Sequence, residues 1–183
     1  TDHTLIINEI ERIIKFYNWD FILSFLPAGS FLVGGYIRDI ILGRMSLKVD
    51  VDIVVPSNAI DIGKKVAEKL GSKFIILDEE RQVVRIILND ISIDIANQIS
   101  HTIEGDLKSR DFSINAIAFS FDEKSLIDPL NGIKDIELFL LRTYSKKNIL
   151  DDPLRILRSF RFVSELNFKL DARLITFIEK YKE

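Results

Sequence analysis

Residues 48–56 read KVDVDIVVP, and no other stretch restricts the fold as strongly. A β-branched, apolar run ended by Pro56 predicts a strand over Val49–Val55. Alternate residues of a strand share a face, so Asp50 and Asp52 project together. Like charges side by side repel, and burying them unpaired costs on the order of several kcal/mol each. Either this face stays half-exposed with two solvated acids, or a cation sits between them. The apolar Val51, Ile53 and Val55 give the strand a buried character, which makes two merely solvated acids less natural.

The order of patterns around that strand sets the fold class. Apolar positions at 3–4 spacing (Ile6, Ile10, Ile13, Ile14, Tyr17) predict a helix or helix pair within 5–26. Phe31–Val33 reads as a short strand, Gly34-Gly35 as a tight turn, and Tyr36–Leu42 as a helix closed by Gly43. Ile60–Leu70 reads as a helix, and Lys73–Leu77, Val83–Leu88 and Ile91–Ile95 as strands. Phe112–Phe119 is expected to be helical, 119–129 a hairpin with a polar tip, and Leu138–Tyr144 a strand closing the sheet. From Asp151 the pattern is helical only. This is an α+β arrangement, a mixed sheet with flanking helices, followed by an all-helical segment.

Size and composition narrow the function. A chain of 183 residues that is 47% hydrophobic can build a real core. Without cysteine there is no disulfide, thiolate zinc site or cysteine nucleophile, which fits a reducing cytoplasm. His3 and His101 are the only histidines, too few for a histidine-based metal site or triad. No apolar run reaches the roughly 18 residues of a membrane span, and no secretory leader opens the chain. Residues 142–183 hold ten Lys and Arg against six Asp and Glu, while 1–141 hold fifteen against twenty-two. A basic end of this kind suits either a phosphate-bearing partner or a solvated helix surface.

Several further groups carry possible chemistry. Gly34-Gly35 between strand and helix offers free backbone N–H groups to an anion, with Arg38 one turn on. Two carboxylates, Asp50 and Asp52, are hard oxygen ligands for Mg²⁺, and two such ions can activate a hydroxyl and stabilise a leaving pyrophosphate. Asp94 joins them if its strand neighbours Val49–Val55 in register; otherwise it is a salt-bridged strand residue. Arg110 and Asp111 precede an apolar run in which Asn115 needs a partner if buried. Asp111 is a possible helix cap and Arg110 a possible surface arginine. Asp128, Gly132 and Asp135 read as turn and cap chemistry that braces a site. In NILDDPLRILRSFRF (148–162), Asp151 or Asp152 caps a helix with Pro153 in its first turn. Arg155, Arg158 and Arg161 line one flank, with Ile156, Leu157, Phe160 and Val163 on the other. Three arginines together suit phosphates or the hydrogen-bonding edge of a base.

LVGGYIRDIILGR (32–44), DVD (50–52), RDFSINAIAF (110–119), DPLNGIKD (128–135) and DDPLRILRSFRF (151–162) occur in the order and spacing of a known family. The set resembles the class II tRNA nucleotidyltransferases and bacterial poly(A) polymerases. That resemblance implies a nucleotidyltransferase head domain over 1–147 and the start of a helical neck over 148–183. The family's body and tail domains would be absent and the chain a fragment. It implies metal-dependent transfer of CMP or AMP from CTP or ATP to the 3′-hydroxyl of tRNA, without a nucleic-acid template, in the cytoplasm. Poly(A) synthesis, and a nucleotide-binding module inactive without its RNA-binding domains, are the alternatives.

The resemblance also assigns residues. Asp50 and Asp52 would hold Mg²⁺, two ions during catalysis, with Asp94 a possible third carboxylate. Gly34, Gly35 and Arg38 would contact the triphosphate, and Arg110 with Asp111 the triphosphate or ribose, beside Asn115. Asp152 and Arg155 would act as an amino-acid template choosing cytosine or adenine, with Arg158 and Arg161 completing the pocket. One departure stands out: Ser109 occupies a position where family members often carry a second arginine.

Overall fold

The computed structural model describes residues 2–44 and 48–180. Thr1, 45–47 and 181–183, which fall within the segments expected over 1–147 and 148–183, lie outside the described residues. The chain opens with helix α1 (His3–Phe16), capped by Asp2, whose carboxylate accepts the Thr4 N–H at 2.8 Å. Its buried stripe of Ile6, Ile10, Ile13 and Ile14 follows helical spacing. A short α2 (Asp20–Leu23) follows. Then come β1 (Phe31–Val33), α3 (Gly35–Ile41), β2 (Val49–Val55), α4 (Ala59–Leu70), β3 (Lys73–Asp78), β4 (Val83–Leu88) and β5 (Ile91–Asn97). Helix α5 (Ile103–Ser109), a 3₁₀ turn (Ser113–Asn115) and the hairpin β6 (Ala118–Ser120)–β7 (Ser125–Ile127) complete the sheet region.

Seven strands form one sheet in the order β3-β4-β5-β2-β1-β6-β7. β2 and β5 run parallel, connected through α4 and the β3–β4 hairpin, and the other pairs are antiparallel. The sheet has two unequal faces. On one, Val51, Ile53, Val55, Val84, Ile86, Ile93 and Ile95 join the main core with α1, α3 and α4. Gly63 lets α4 approach closely: a Cβ there would stand 2.5 Å from Val84 Cγ2. On the other face, Ile103 and Leu107 of α5 form a smaller cluster with Val33, Val54, Ala116 and Ala118, edged by the partly buried Phe31, Ile127 and Leu130. Asp50 and Asp52 share this second face with Val54, but α5 stops short of them and both stay exposed. The electrostatic problem posed by the strand is met first by leaving half a sheet face uncovered.

The remainder differs from the expected pattern in three places. Phe112–Phe119 is not a helix. It is the 3₁₀ turn followed by β6, because Ile117 and Phe119 point into the main core while Ala116 and Ala118 point under α5. A run apolar on both sides fits a doubly buried strand as well as a buried helix, and only the alternation of partners tells them apart. Leu138–Tyr144 does not close the sheet. After α6 (Gly132–Glu137), only Leu140–Leu141 is extended (β8), and it pairs in parallel with β9 (Lys169–Leu170) in a separate ribbon. That same ribbon interrupts the expected all-helical end, which otherwise comprises α7 (Lys146–Leu150), α8 (Leu154–Leu166) and α9 (Ala172–Lys180).

The third difference concerns the facing of α8. Its buried line is Ser159, Phe162 and Leu166, while Leu157 and Phe160, on the apolar flank opposite the arginines, are exposed. The arginine flank is the one drawn toward the sheet domain, held there by ionic and cation–π contacts described next.

Candidate active site

The site begins at the turn between β1 and α3. Gly34 has φ +81°, a conformation L side chains rarely adopt. A Cβ here would lie 3.0 Å from Asp52 Oδ2 and 3.1 Å from Arg110 Nη1. The turn therefore presses bare backbone against the strand carboxylate and the arginine at once. Register explains this: Val33, one residue before Gly34, pairs with Asp52 on β2.

Asp52 pairs in turn with Asp94 on the parallel β5, as the conditional reading of Asp94 required. Asp94 is nonetheless committed elsewhere: Arg85 of β4 grips it with Nε and Nη2, both at 2.7 Å. Asp52 keeps an edge open to solvent, but the surrounding protein crowds its carboxyl at the base of the cleft, and this partial loss of solvent pushes it above the ordinary value. Arg110 pulls it down, and Asp94 and Asp50 push it further up. Among the described residues, no three acid or imidazole side chains are arranged to enclose a metal. Two carboxylates on an open strand face do fit a hard, partly hydrated divalent cation such as Mg²⁺, which keeps several of its waters.

Arg110 leaves the end of α5 and is braced by Asp106, whose Oδ2 accepts from its Nη2 at 3.3 Å and its Nε at 3.4 Å. Asp106 is 2% exposed and also accepts the Ile99 N–H at 3.0 Å. Asp111 is far more than a cap. Its Oδ1 accepts from the Phe112 N–H (2.8 Å) and Asn115 Nδ2 (3.1 Å), and its Oδ2 from Arg158 Nε (2.8 Å) and Nη2 (2.7 Å). Asn115, buried, passes the chain on by accepting from Arg38 Nη1 at 2.7 Å. Arg38 is also held by Asp39, through Nε at 2.9 Å and Nη2 at 3.0 Å.

On α8, Phe162 gathers three guanidinium groups around its ring, with Arg38 at 5.2 Å, Arg161 at 5.4 Å and Arg158 at 5.8 Å from the centroid. Its edge meets Phe112, 5.6 Å between centroids. Arg155 donates through Nη1 to the Asn148 carbonyl (2.8 Å) and the Ser109 carbonyl (3.1 Å), and its Nε stands 3.8 Å from Asp152 Oδ2. Asp152 Oδ1 accepts the Leu154 N–H at 3.0 Å, which starts α8. Asp128 and Asp135 brace the floor: Asp128 caps α6 through the Gly132 and Ile133 N–H groups, and Asp135 accepts from Ser113 Oγ at 2.6 Å.

These groups line one cleft of about 460 Å³, a size suited to a small ligand. Gly34, Gly35, Arg38, Asp52, Arg110, Asp111, Asn115, Asp152, Arg155, Arg158 and Arg161 all reach it. Asp50 stands outside it, exposed two residues before Asp52 on the same face. The sequence pattern of the poly A polymerase head domain matches residues 30–102 and 96–142, covering β1 through β8.

The chain belongs to the poly A polymerase head-domain family.

That membership bears out the resemblance to class II tRNA nucleotidyltransferases and bacterial poly(A) polymerases. The chain is 40% identical over 151 residues to a CC-adding tRNA nucleotidyltransferase from Synechocystis sp., covering 82% of this chain and 36% of the relative. It is 37% identical over 147 residues to an A-adding tRNA nucleotidyltransferase from Deinococcus radiodurans, covering 80% and 33%. Its fold matches a tRNA nucleotidyltransferase solved with a primer tRNA and an incoming ATP analog: TM-score 0.71, 31% identity, 82% of this chain and 46% of that one. It also matches the Thermotoga maritima CCA-adding enzyme solved with tRNA: TM-score 0.72, 33% identity, 82% and 37%. The chain thus spans about a third of the curated relatives it matches.

The sequence alone did not single out Phe162 and Glu165, which line this cleft, or Asp106 and Asn148, which support it from outside. Phe162 had a signal: an aromatic directly after the third arginine of a three-residue repeat. Asp106 had one too, its i,i+4 spacing to Arg110; Asn148 had none, since it acts on backbone carbonyls that only the folded chain brings near.

Proposed function

We propose that this chain is the nucleotide-adding part of a tRNA CCA-end nucleotidyltransferase, with residues 1–147 as catalytic head and 148–183 as the start of a helical neck. The observation that carries this reading is one cleft with two chemically distinct ends. Gly34, Asp52 and Arg110 form an end suited to a triphosphate, and Asp152 with Arg155 an end suited to a base. The names of its relatives, which add CC or A to tRNA, support that choice of substrate.

At the triphosphate end, Arg110 is aimed by Asp106 at the space over Gly34 and can donate to phosphate oxygens. Arg158 and Arg161 add positive charge along the α8 wall. At the base end, Arg155 has spent one nitrogen on two carbonyls, leaving its outer amino group as a donor. Asp152 has spent one oxygen on the helix start, leaving the other as an acceptor. A donor beside an acceptor complements the amino group and adjacent ring nitrogen shared by cytosine and adenine. Side chains in the first turn of a helix and in the residues just before it thereby take the place of a nucleic-acid template.

The reaction is a direct displacement. The 3′-hydroxyl oxygen of the tRNA bonds to the α-phosphorus of CTP or ATP while the bond to the β-phosphate bridging oxygen breaks. The hydroxyl proton passes to water in the open cleft, and pyrophosphate leaves with the displaced electron pair. Asp50 and Asp52 would hold Mg²⁺, which supplies Lewis-acid stabilisation of both oxygens when bound. Asp94, clamped by Arg85, stands behind this pair. Among the described residues no helix is long and apolar enough to cross a membrane; we place the activity in the cytoplasm with other tRNA processing.

The experiment supplies Mg²⁺, each nucleoside triphosphate separately, and tRNAs lacking one, two or all three nucleotides of the CCA end, then sequences the products. Extension by C, by A or by both names the activity; long A tails indicate poly(A) synthesis instead. Nucleotide binding without extension identifies a module that needs the rest of its relatives' length.

A further inference from the structure

The triphosphate end and the base end belong to different elements, Arg110 to the end of α5 and Arg155 to α8. A pocket that measures a base must hold these two at a fixed separation. We infer that Asn148 is the positioning residue that does so, and that it sets base discrimination without touching the nucleotide. The inference rests on the nucleotide reading of the cleft given above.

Asn148 is 7% exposed, and all its polar groups are engaged. Its Nδ2 donates to the carbonyls of Arg110 at 2.6 Å and Lys108 at 2.8 Å. Carbonyls only accept, so the amide can face them only with its nitrogen. Its Oδ1 accepts from Ser145 Oγ at 2.7 Å, which fixes the amide plane. Its own carbonyl accepts from Arg155 Nη1 at 2.8 Å, and the same nitrogen reaches the Ser109 carbonyl at 3.1 Å. One residue therefore ties 108–110 to α7, the short helix that leads into α8, and Arg155 closes the circuit of contacts from the other side. The geometry gives it no route to the nucleotide, because Asn148 does not line the cleft.

The two ends depend on Asn148 unequally. The Arg110 guanidinium keeps its own anchor on Asp106. Arg155 has only backbone carbonyls, one of them that of Asn148, and a distant Asp152. Loosening the tie should blur the base end first.

Binding of CTP, ATP, UTP, GTP and inorganic tripolyphosphate to the chain, with Mg²⁺, tests this by titration calorimetry in wild type and Asn148→Ala. We expect the wild-type preference for CTP and ATP to collapse by about tenfold, while tripolyphosphate affinity moves by no more than about twofold. A merely structural residue would weaken all five ligands in parallel, and that result, or an unchanged preference, overturns the inference. Ser145→Ala releases the amide plane and the N-cap of α7, where Ser145 Oγ accepts the Asn148 N–H at 3.3 Å, but keeps both ties to 108–110, and should shift preference in the same direction by less. If Asn148→Ala does not fold, a folded Ser145→Ala with wild-type preference overturns it equally. A wild-type chain that binds none of the nucleotides removes the nucleotide reading itself, an outcome distinct from a wild type that discriminates and a variant that does not change.

Discussion

Asp111 and Arg158 meet in a two-pronged ion pair across 47 residues of sequence, Oδ2 accepting from Nε at 2.8 Å and Nη2 at 2.7 Å. The pair joins the turn after α5 to the middle of α8, and so closes the cleft on its helical side. Asp111 is 8% exposed in its side chain and Arg158 is 44% exposed, so the carboxylate needs the arginine more than the reverse.

Asp111→Ala should therefore cost about 2–3 kcal/mol, because the Phe112 N–H and Asn115 amide lose their acceptor along with Arg158. Arg158→Met keeps an apolar stem, gives up the guanidinium 5.8 Å from the Phe162 centroid, and should cost only about 1 kcal/mol, the half-exposed pair being partly screened. Urea unfolding of both variants and the double variant gives the coupling. Strict additivity would show that the two residues do not hold α8 in place.

Gly34→Ala should damage the site more than the fold. The backbone at φ +81°, ψ −141° falls outside the left-handed helical region, in space used almost solely by glycine, and costs any side chain about 1–3 kcal/mol. The added methyl would press on Asp52 Oδ2 and Arg110 Nη1, both at the limit of close contact. Nucleotide affinity is expected to fall about tenfold or more, with the midpoint of thermal unfolding down by only a few degrees, roughly. Calorimetry with CTP beside a melting curve separates the two effects. A variant that binds as wild type places the triphosphate elsewhere.

Asp52 gives a pH dependence of unusual sign. Loss of solvent raises its pKa on folding, against the pull of Arg110, so the folded state holds this proton more tightly than the unfolded chain. Its contribution to stability therefore falls as pH rises from the ordinary carboxylate value through the raised folded value, and the penalty is complete above it. Asp52→Asn should melt higher than wild type at neutral pH, and that advantage should shrink as pH is lowered through the window. The same substitution should lower Mg²⁺ or Mn²⁺ affinity about a hundredfold. Melting curves from pH 3 to 8, about the range of carboxylate titration, check the first statement. A variant less stable at neutral pH would show that Arg110 outweighs burial.

How much of this was legible before folding divides along physical lines. Helices and strands with one clean face, such as α1 and β2, announce themselves through spacing, and the paired acids of β2 announced an open face. Phe112–Phe119 did not, because a segment buried on both sides carries no periodicity to read. The facing of α8 was also hidden. Charge patterning says that Arg155, Arg158 and Arg161 share a flank, but not that Asp111 and Phe162 draw that flank inward while Leu157 and Phe160 are left in solvent. Asp94 was half legible: its strand alternation placed it on the right face, yet its grip by Arg85 depends on a register between β4 and β5 that only pairing sets.

That grip yields the last prediction. Arg85 and Asp94 are cross-strand partners, and Asp94 is in register with Asp52, so Arg85 and the two acids lie in one row across β4, β5 and β2. With two of its guanidinium nitrogens, Nε and Nη2, on Asp94, Arg85 leaves that acid little net negative charge to bring to the Asp50–Asp52 face. Arg85→Met preserves the apolar stem and removes the countercharge. Asp94 is then a third free carboxylate beside Asp52, and the site changes from two available acids to three. Divalent-cation affinity should rise by about tenfold, as added ligand charge tightens oxygen sites. Stability without metal should fall by about 1 kcal/mol, through repulsion and a half-exposed pair lost. Mn²⁺ titration followed by electron paramagnetic resonance reads the affinity directly, and Arg85→Met with Asp94→Asn should return it to the wild-type value. Unchanged Mn²⁺ affinity in Arg85→Met would mean that the cation is held away from β5 and that Asp94 serves only the ladder of the sheet.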